Sequence, residues 1–376
     1  MTANVHQDRA ERRQPAGAAD PAGRRDPARP GRSGPRPLRL PGGTSLRVER
    51  RALVVGAVLA AAALALSVLL VGTGDFEIAP WDVVRTVLGD GTPATEFIVN
   101  DLRMPRAVVA LLVGAALGTS GAVFQSVSRN PLGSPDLLGF GYGSAVGALA
   151  VIILFHGDAA EVAVGALLGG LLAGAAVYLL AYKKGVQGYR LVLVGIGASA
   201  MLVAAVQYLI TKAQLTEAGR AMVWLTGSLA GRDWAQVWPL LGLCAVLFPL
   251  ILGHGRALRM MEMGDDAAHA LGVRVERTRL LLMVAAILLT TAASAAAGPI
   301  SFVALAAPQL ARRLTRSPGG NLLTAGLMGS VLLLASDWGS QRAFGSDQMP
   351  VGVVTGLVGG VYLLWLLVTE RKAGRI

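Results

Sequence analysis

Arg103 and Arg106 bracket Pro105 at the head of a long Gly- and Ala-rich apolar run, and the pairs Asn130-Pro131 and Ser134-Pro135 interrupt the polar stretch that closes it. Two adjacent carboxylates, Asp265 and Asp266, follow Gly264 in a polar connection between two other apolar runs. These residue types can bind and gate. A guanidinium offers a planar fork that meets a carboxylate at two points, and a proline lacks the backbone donor that a continuing helix needs. They do not assemble a catalyst. No Gly-x-x-x-x-Gly-Lys-[Ser/Thr] phosphate loop is present, so the chain is not expected to hydrolyse ATP or to be an enzyme. His6, His156, His254 and His269 are scattered, and the single Cys244 falls within an apolar run. Neither a metal site, a disulfide framework nor a cofactor is expected.

The elements that must position these residues are apolar. Hydrophobic residues make up 53% of the 376 and charged residues 15%. Ten runs approach the ~20 residues needed to cross a bilayer, at about 52–72, 105–126, 135–155, 160–182, 191–211, 235–254, 279–298, 300–315, 322–337 and 350–369. A soluble helical protein would need polar faces at helical spacing, and these runs have almost none. The expectation is an all-α polytopic membrane protein with about ten transmembrane helices, multi-pass in the cell membrane.

Charge sets the orientation. With the first helix running from inside to outside, the inner loops and the C-terminal tail hold 15 Lys and Arg, the outer loops and their margins hold seven, and the remaining 12 are arginines among the first 51 residues. That is the positive-inside bias, with both termini cytoplasmic. The net charge of +11 follows mostly from topology. Residues 1–48 are rich in Pro, Gly, Ala and Arg, carry few large apolar side chains, and are expected to be a disordered basic tail ahead of a transmembrane domain at 49–376. The tail lacks the interleaved aromatics of a nucleic-acid arm, so its expected partner is the anionic lipid surface and not nucleic acid.

Carriers driven by protons or sodium keep ionisable residues in mid-membrane. Here the helix centres hold Gly, Ala, Ser, Thr and an occasional Gln, while Asp136, Glu161 and Asp337 fall near helix ends. A carrier of that kind needs an engine elsewhere. The connection at 255–279 is the longest on the inner side, with helical propensity from 258 to 271 broken at Gly264. Met260, Met261 and Met263 offer an adaptable apolar surface, and Asp265 and Asp266 stand where a helix N-terminus favours negative charge. The same residues would also suit a solvated amphipathic loop.

Four segments carry a resemblance to the FecCD family of ABC-importer permeases, and together they span about residues 50–370. Arg103-Met104-Pro105-Arg106 resembles the family's R-L-P-R. Residues 114–138, with GAALGTSGAVFQ and RNPLGSPDLLG, resemble the motif that follows it. Residues 264–272 resemble G-E-x-x-A-x-x-L-G, with Asp265 in place of Glu. Gly298-Pro299-Ile300-Ser301-Phe302-Val303 and residues 308–312 resemble G-x-I-x-F-V-G-L-x-x-P-H-x-x-R, with Ala304 for Gly and Gln309 for His. Those departures, with Thr226-Gly227-Ser228-Leu229 and residues 348–355, are similar to the family's ferric-enterobactin branch, which pairs two different permeases.

The resemblance implies the roles. Arg103, Arg106 and Arg342 would dock an extracytoplasmic siderophore-binding protein through its glutamates, or else serve as interfacial anchors. Gly264, Asp265, Asp266, Ala268, Leu271 and Gly272 would couple to a separate ATP-binding subunit. Asn130, Pro131 and Leu132 would stand at the inner gate. The implied whole is a permease subunit, paired with a second permease, that moves a ferric siderophore, of catecholate type by its branch, into the cytoplasm by alternating access. The rivals are a secondary transporter or channel for a small solute, which should show an ion site in mid-membrane, and a receptor or scaffold without transport.

Overall fold

The computed structural model describes residues 38–39, 45–46, 50–74, 76–183, 188–317, 319, 321–343 and 349–372. The chain divides into two units, residues 1–48 and residues 49–376. In the first, Leu38–Arg39 and Ser45–Leu46 pair as a two-residue antiparallel ladder. The rest of the expected disordered tail lies outside the described residues, as do Lys184, Gln348 and Arg375.

The second unit is built of helices and the loops that join them. Its first half contains α1 (Arg50–Gly72), α2 (Pro80–Val87), α3 (Pro93–Glu96), α4 (Met104–Ser128), α5 (Phe140–Ala150), α6 (Ala159–Ala181), α7 (Gly188–Lys212) and α8 (Leu215–Leu225). Next come α9 (Trp234–Gly253), α10 (Gly255–Glu262), α11 (Asp265–Ala270), α12 (Val275–Ala297), α13 (Val303–Thr315), α14 (Leu322–Arg342) and α15 (Val351–Lys372). Two π-helical stretches, Phe97–Arg103 and Val151–Phe155, extend α4 at its start and α5 at its end. Each of the ten apolar runs coincides with a helix. Seven helices among the described residues are long and apolar enough to cross a membrane, while Phe140–Phe155 and Val351–Trp365 are shorter apolar helices. The α13 helix has 13 residues, which reach only ~20 Å at 1.5 Å per residue against a ~30 Å hydrocarbon core.

The bundle is built around α4, whose residues from Ala107 to Val127 are nearly all buried. It packs most heavily on α14, with α12 and α13 alongside. Small residues make that approach feasible. A Cβ added at Gly118 would lie 2.2 Å from the Ala325 carbonyl oxygen, and one at Gly121 only 1.8 Å from that of Ala304. Both neighbours are backbone and cannot swing aside, so the helices meet at distances only glycine allows. Hydroxyls cross the same seams: Ser120 Oγ donates to the Ala286 carbonyl at 2.9 Å, and Ser330 Oγ to that of Leu111 at 2.8 Å. By contrast α1 and α7 are apolar yet mostly exposed, as helices facing lipid should be.

Three expectations shift. The run from 135 begins as a turn, and its helix starts only at Phe140, since Pro135 and the left-handed Gly139 (φ 86°) delay it. The run from 279 begins four residues early, at Val275. The amphipathic α8 lies in a connection with no expected element; Gln214 and Glu217 form a capping box at its start.

Candidate functional site

The polar residues gather at opposite ends of α4. At its C-terminal end, Arg129 adopts a left-handed conformation (φ 50°) that stops the helix and turns the chain into the 130–139 loop. Asn130 Oδ1 accepts from the Leu132 amide at 2.9 Å, and the Gly133 amide closes the turn on the Asn130 carbonyl at 2.9 Å. The Pro131 carbonyl accepts from Gln309 Nε2 at 2.8 Å, and Tyr362 on α15 donates to Gln309 Oε1 at 3.4 Å. Gln309 was noted only as a departure from a family pattern; in the fold it holds the loop to α13. Further along, the Asp136 carboxylate takes a backbone hydrogen bond from Phe302, and its Oδ2 is buried with no hydrogen-bond partner among the described residues. Leu132 is half exposed at the tip.

The connection between α9 and α12 meets this loop through one carboxylate. Asp265 Oδ1 pairs with Arg129 Nη2, and Asp265 Oδ2 accepts from Arg279 Nη2 at 2.7 Å. Arg129 Nε also donates to the Met261 carbonyl at 3.0 Å, and Arg279 Nη1 to Glu276 at 2.8 Å. The Arg279 side chain is 4% exposed, so α12 supplies a nearly buried cation to a carboxylate that is itself 46% exposed. Burial favours protonation of Asp265. The hydrogen bond and charge of Arg279, then the charge and hydrogen bond of Arg129, outweigh it and hold the carboxyl below its ordinary range.

Gly264 and Gly272 bound the short α11, with φ of 122° and 84° and open space where a Cβ would stand; they are needed for backbone conformation alone. Ala268 is buried beneath the helix, whereas Asp266, Leu271 and Met263 face outward. Met261 does not share that outward surface: it is 2% exposed and packs into the bundle, and Met260 is partly buried. The adaptable surface expected from three methionines reduces to Met263 with Leu271. Arg129 and Arg279, the two cations that hold Asp265, were counted in the sequence only as loop charge, since nothing in their spacing announces a shared partner.

Arg103, Arg106 and Arg342 converge at the other end of α4. Arg103 donates from Nη1 to the Val71 carbonyl at 3.0 Å and from Nη2 to that of Phe76 at 2.8 Å, which satisfies the exit of α1. Arg106 makes a two-point pair with Asp337 on α14, at 2.9 Å and 2.7 Å. Asp337 is fully buried and the Arg106 side chain is 17% exposed. Arg342 differs: it is 54% exposed, stands over the Trp338 ring at 5.6 Å, and lies 3.8 Å from Glu77. The structure thus brings the three together, with two guanidinia committed within the chain and the third open to solvent. No group of three or more His, Cys, Asp or Glu that could hold a metal occurs among the described residues.

The FecCD transport family matches residues 58–369. The chain is 43% identical over 325 residues to the ferric enterobactin transport system permease protein FepG of Escherichia coli (strain K12), covering 86% of this chain and 98% of that protein. It is 36% identical over 328 residues to the Fe(3+)-citrate import system permease protein YfmE of Bacillus subtilis (strain 168), covering 87% and 98%. Among solved structures, a metal-chelate-type ABC transporter in an inward-facing conformation superposes with a TM-score of 0.73 at 25% identity, over 85% of this chain and 99% of that one.

Proposed function

The chain belongs to the FecCD transport family and is a membrane permease for iron-chelate import, not an enzyme; we propose that its cargo is a ferric siderophore of catecholate type, driven inward by a separate ATP-binding subunit. Ten crossings with both termini cytoplasmic fit the ten helices that coincide with apolar runs and the bias of basic residues toward one side. A second, different permease completes the path, as the resemblance to the ferric-enterobactin branch implies.

The observation that carries this reading is the hold on Asp265 by Arg129 and Arg279. It links three parts of the chain: α11 with its outward Asp266 and Leu271, the loop of Asn130, Pro131 and Leu132, and the long helix α12. A push on Gly264-Asp265 would reach the loop directly, as an engine outside the membrane requires to open an inner gate. Asp337 argues against a built-in ion site. Arg106 occupies both its oxygens and Gln341 lies 3.3 Å from one of them, so this buried carboxylate is already neutralised.

The cargo is tested by uptake into proteoliposomes that contain this chain, its partner permease and the ATPase, with a loaded binding protein added outside. Ferric catecholate should accumulate faster than ferric citrate or a ferric hydroxamate. Equal rates for all three would remove the catecholate assignment.

Docking of the binding protein is assigned to the corner where the three arginines meet. Arg342 carries the test. Arg103 and Arg106 also hold the fold, so reversing them disturbs more than docking. Exposed pairs are worth only ~0–1 kcal/mol, so Arg342→Glu should weaken the binding-protein complex modestly, and a Glu→Arg change on that protein should restore it. Affinity should also fall as salt rises, since rim charges are screened within ~8–10 Å. Affinity unchanged by Arg342→Glu at low salt would mark this arginine as a membrane anchor.

A further inference from the structure

A cavity of about 920 Å³ is lined by none of the residues described above at either end of α4. Its floor is α12, through Ala292, Ala295 and Ala296, and its walls are α6 and α9. Those two helices each pack on α12 but scarcely on one another, which leaves a cleft between them that α8 borders through Gly219, Arg220, Val223 and Trp224. Along α9 the lining runs from Asp233 to Leu243, a length of ~15 Å at 1.5 Å per residue. That is half of a ~30 Å hydrocarbon core. A trough that is apolar and only one leaflet deep does not suit a cargo that must cross from end to end. It suits acyl chains.

The mouth is charged in both signs. Arg220 and Arg232 line it, and so do Asp158 and Asp233. Arg220 Nη2 donates to the Gly157 carbonyl at 3.3 Å, and Arg232 Nε to that of Ser228 at 3.2 Å. The other guanidinium nitrogens of both have no recorded hydrogen bond or ion pair among the described residues, and Asp233 attracts Arg232 from nearby. Asp158 and Asp233 each use Oδ1 to cap a helix, at the Glu161 and Ala235 amides, 2.9 Å and 2.8 Å away, and each keeps a second oxygen. Trp224 lines the cavity, and Trp234 stacks beside Trp238 with ring centroids 5.8 Å apart. Tryptophans gather at headgroup level, so the mouth stands where a headgroup would.

We infer that this cleft is a phospholipid site whose occupant carries both a phosphate and a primary ammonium, as phosphatidylethanolamine does. The phosphate meets Arg220 and Arg232, the ammonium donates to Asp158 and Asp233, and one or both acyl chains lie along the alanine floor of α12. Paired charges of both signs disfavour phosphatidylglycerol, which brings an anion and no cation. They also disfavour phosphatidylcholine, whose quaternary ammonium donates no hydrogen bond.

The test is native mass spectrometry of the full-length chain with its co-purifying subunits, delipidated in detergent and titrated with each of the three lipids bearing the same acyl chains. Phosphatidylethanolamine should bind preferentially, and Arg220→Ala with Arg232→Ala should weaken it about tenfold. Asp158→Asn with Asp233→Asn keeps both helix caps, because Asn caps as well as Asp. That variant should therefore fold normally while losing the preference over phosphatidylglycerol. Ala296→Trp, which fills the floor, should abolish the adduct. Equal binding of the three lipids by the unaltered chain would overturn the inference. So would a preference that survives the Asp→Asn pair, or an adduct that survives Ala296→Trp, the result expected if a partner subunit covers the cleft and lipid binds elsewhere.

Discussion

Replacing Arg106 with Met is expected to destabilise the protein by about 3–5 kcal/mol, because it strands the Asp337 carboxylate in the bundle with no cation beside it. Asp337 is wholly buried, and its two oxygens meet Arg106 Nε and Nη2. In an apolar interior such a group must either lose its charge or draw in water, and both cost free energy. Asp337→Leu alone should be nearly as harmful, since it leaves the guanidinium at 17% exposure with its fork unfilled. The double change, Arg106→Met with Asp337→Leu, should recover most of the loss, as apolar pairs often replace buried ion pairs at little cost. Thermal unfolding of the purified chain in detergent reads all three variants. If the losses simply add in the double variant, the pair is not coupled and the ledger of this corner is wrong. The result also bears on docking, because Arg106→Glu would set two carboxylates face to face and impair binding-protein affinity through the fold.

Asp265→Lys is expected to separate ATP hydrolysis from uptake. It places a cation between Arg129 and Arg279, the two groups that now converge on the carboxylate. Charge-assisted contacts of this geometry are about twice as strong as neutral ones, so losing both and adding repulsion should lower uptake per ATP hydrolysed by about tenfold or more. Because Asp265 is nearly half exposed, solvent screens part of the effect; Arg279 is only 4% exposed but keeps Glu276 as a partner, so stability should fall less than in Arg106→Met. Asp265→Glu, the residue of the family pattern, should keep the link. Adding Arg129→Glu to Asp265→Lys should restore part of the coupling by exchanging the charges. Normal coupling in Asp265→Lys would mean that the connection is a solvated loop. The link should also be insensitive to mild acid. The Asp265 carboxyl is held below its ordinary range, so its contribution is fully present above the unfolded value and is lost only as pH falls through the lower folded one.

Much of this arrangement was legible in composition and periodicity. The ten apolar runs recur as helices, because length and unbroken hydropathy are strong signals. Gly264 breaks the helical connection between α9 and α12 where its side-chain-free backbone implied a break. What stayed hidden was pairing across long sequence separations. Nothing near Arg106 announces Asp337, 231 positions away, and nothing near Asp265 announces Arg129, 136 positions away. Arg106 therefore read as a surface charge although α14 neutralises it. Met261 read as surface because a short amphipathic stretch does not reveal which of its faces meets the bundle; Leu258 and Met261 share the inward one. The shortness of α13 was legible in its 16-residue run, but the late start of α5 was not, because an apolar run does not disclose where a left-handed residue such as Gly139 holds the helix back.

The source of energy tests the central claim most directly. Proteoliposomes holding this chain, its partner permease and the ATPase should take up ferric siderophore from a loaded binding protein only when ATP is enclosed with the ATPase. Dissipating proton and sodium gradients should leave the rate unchanged, since Arg106 neutralises Asp337 and the helix centres among the described residues offer no coupling carboxylate. Uptake that proceeds without ATP when a proton or sodium gradient is imposed would contradict the account and point to a secondary transporter.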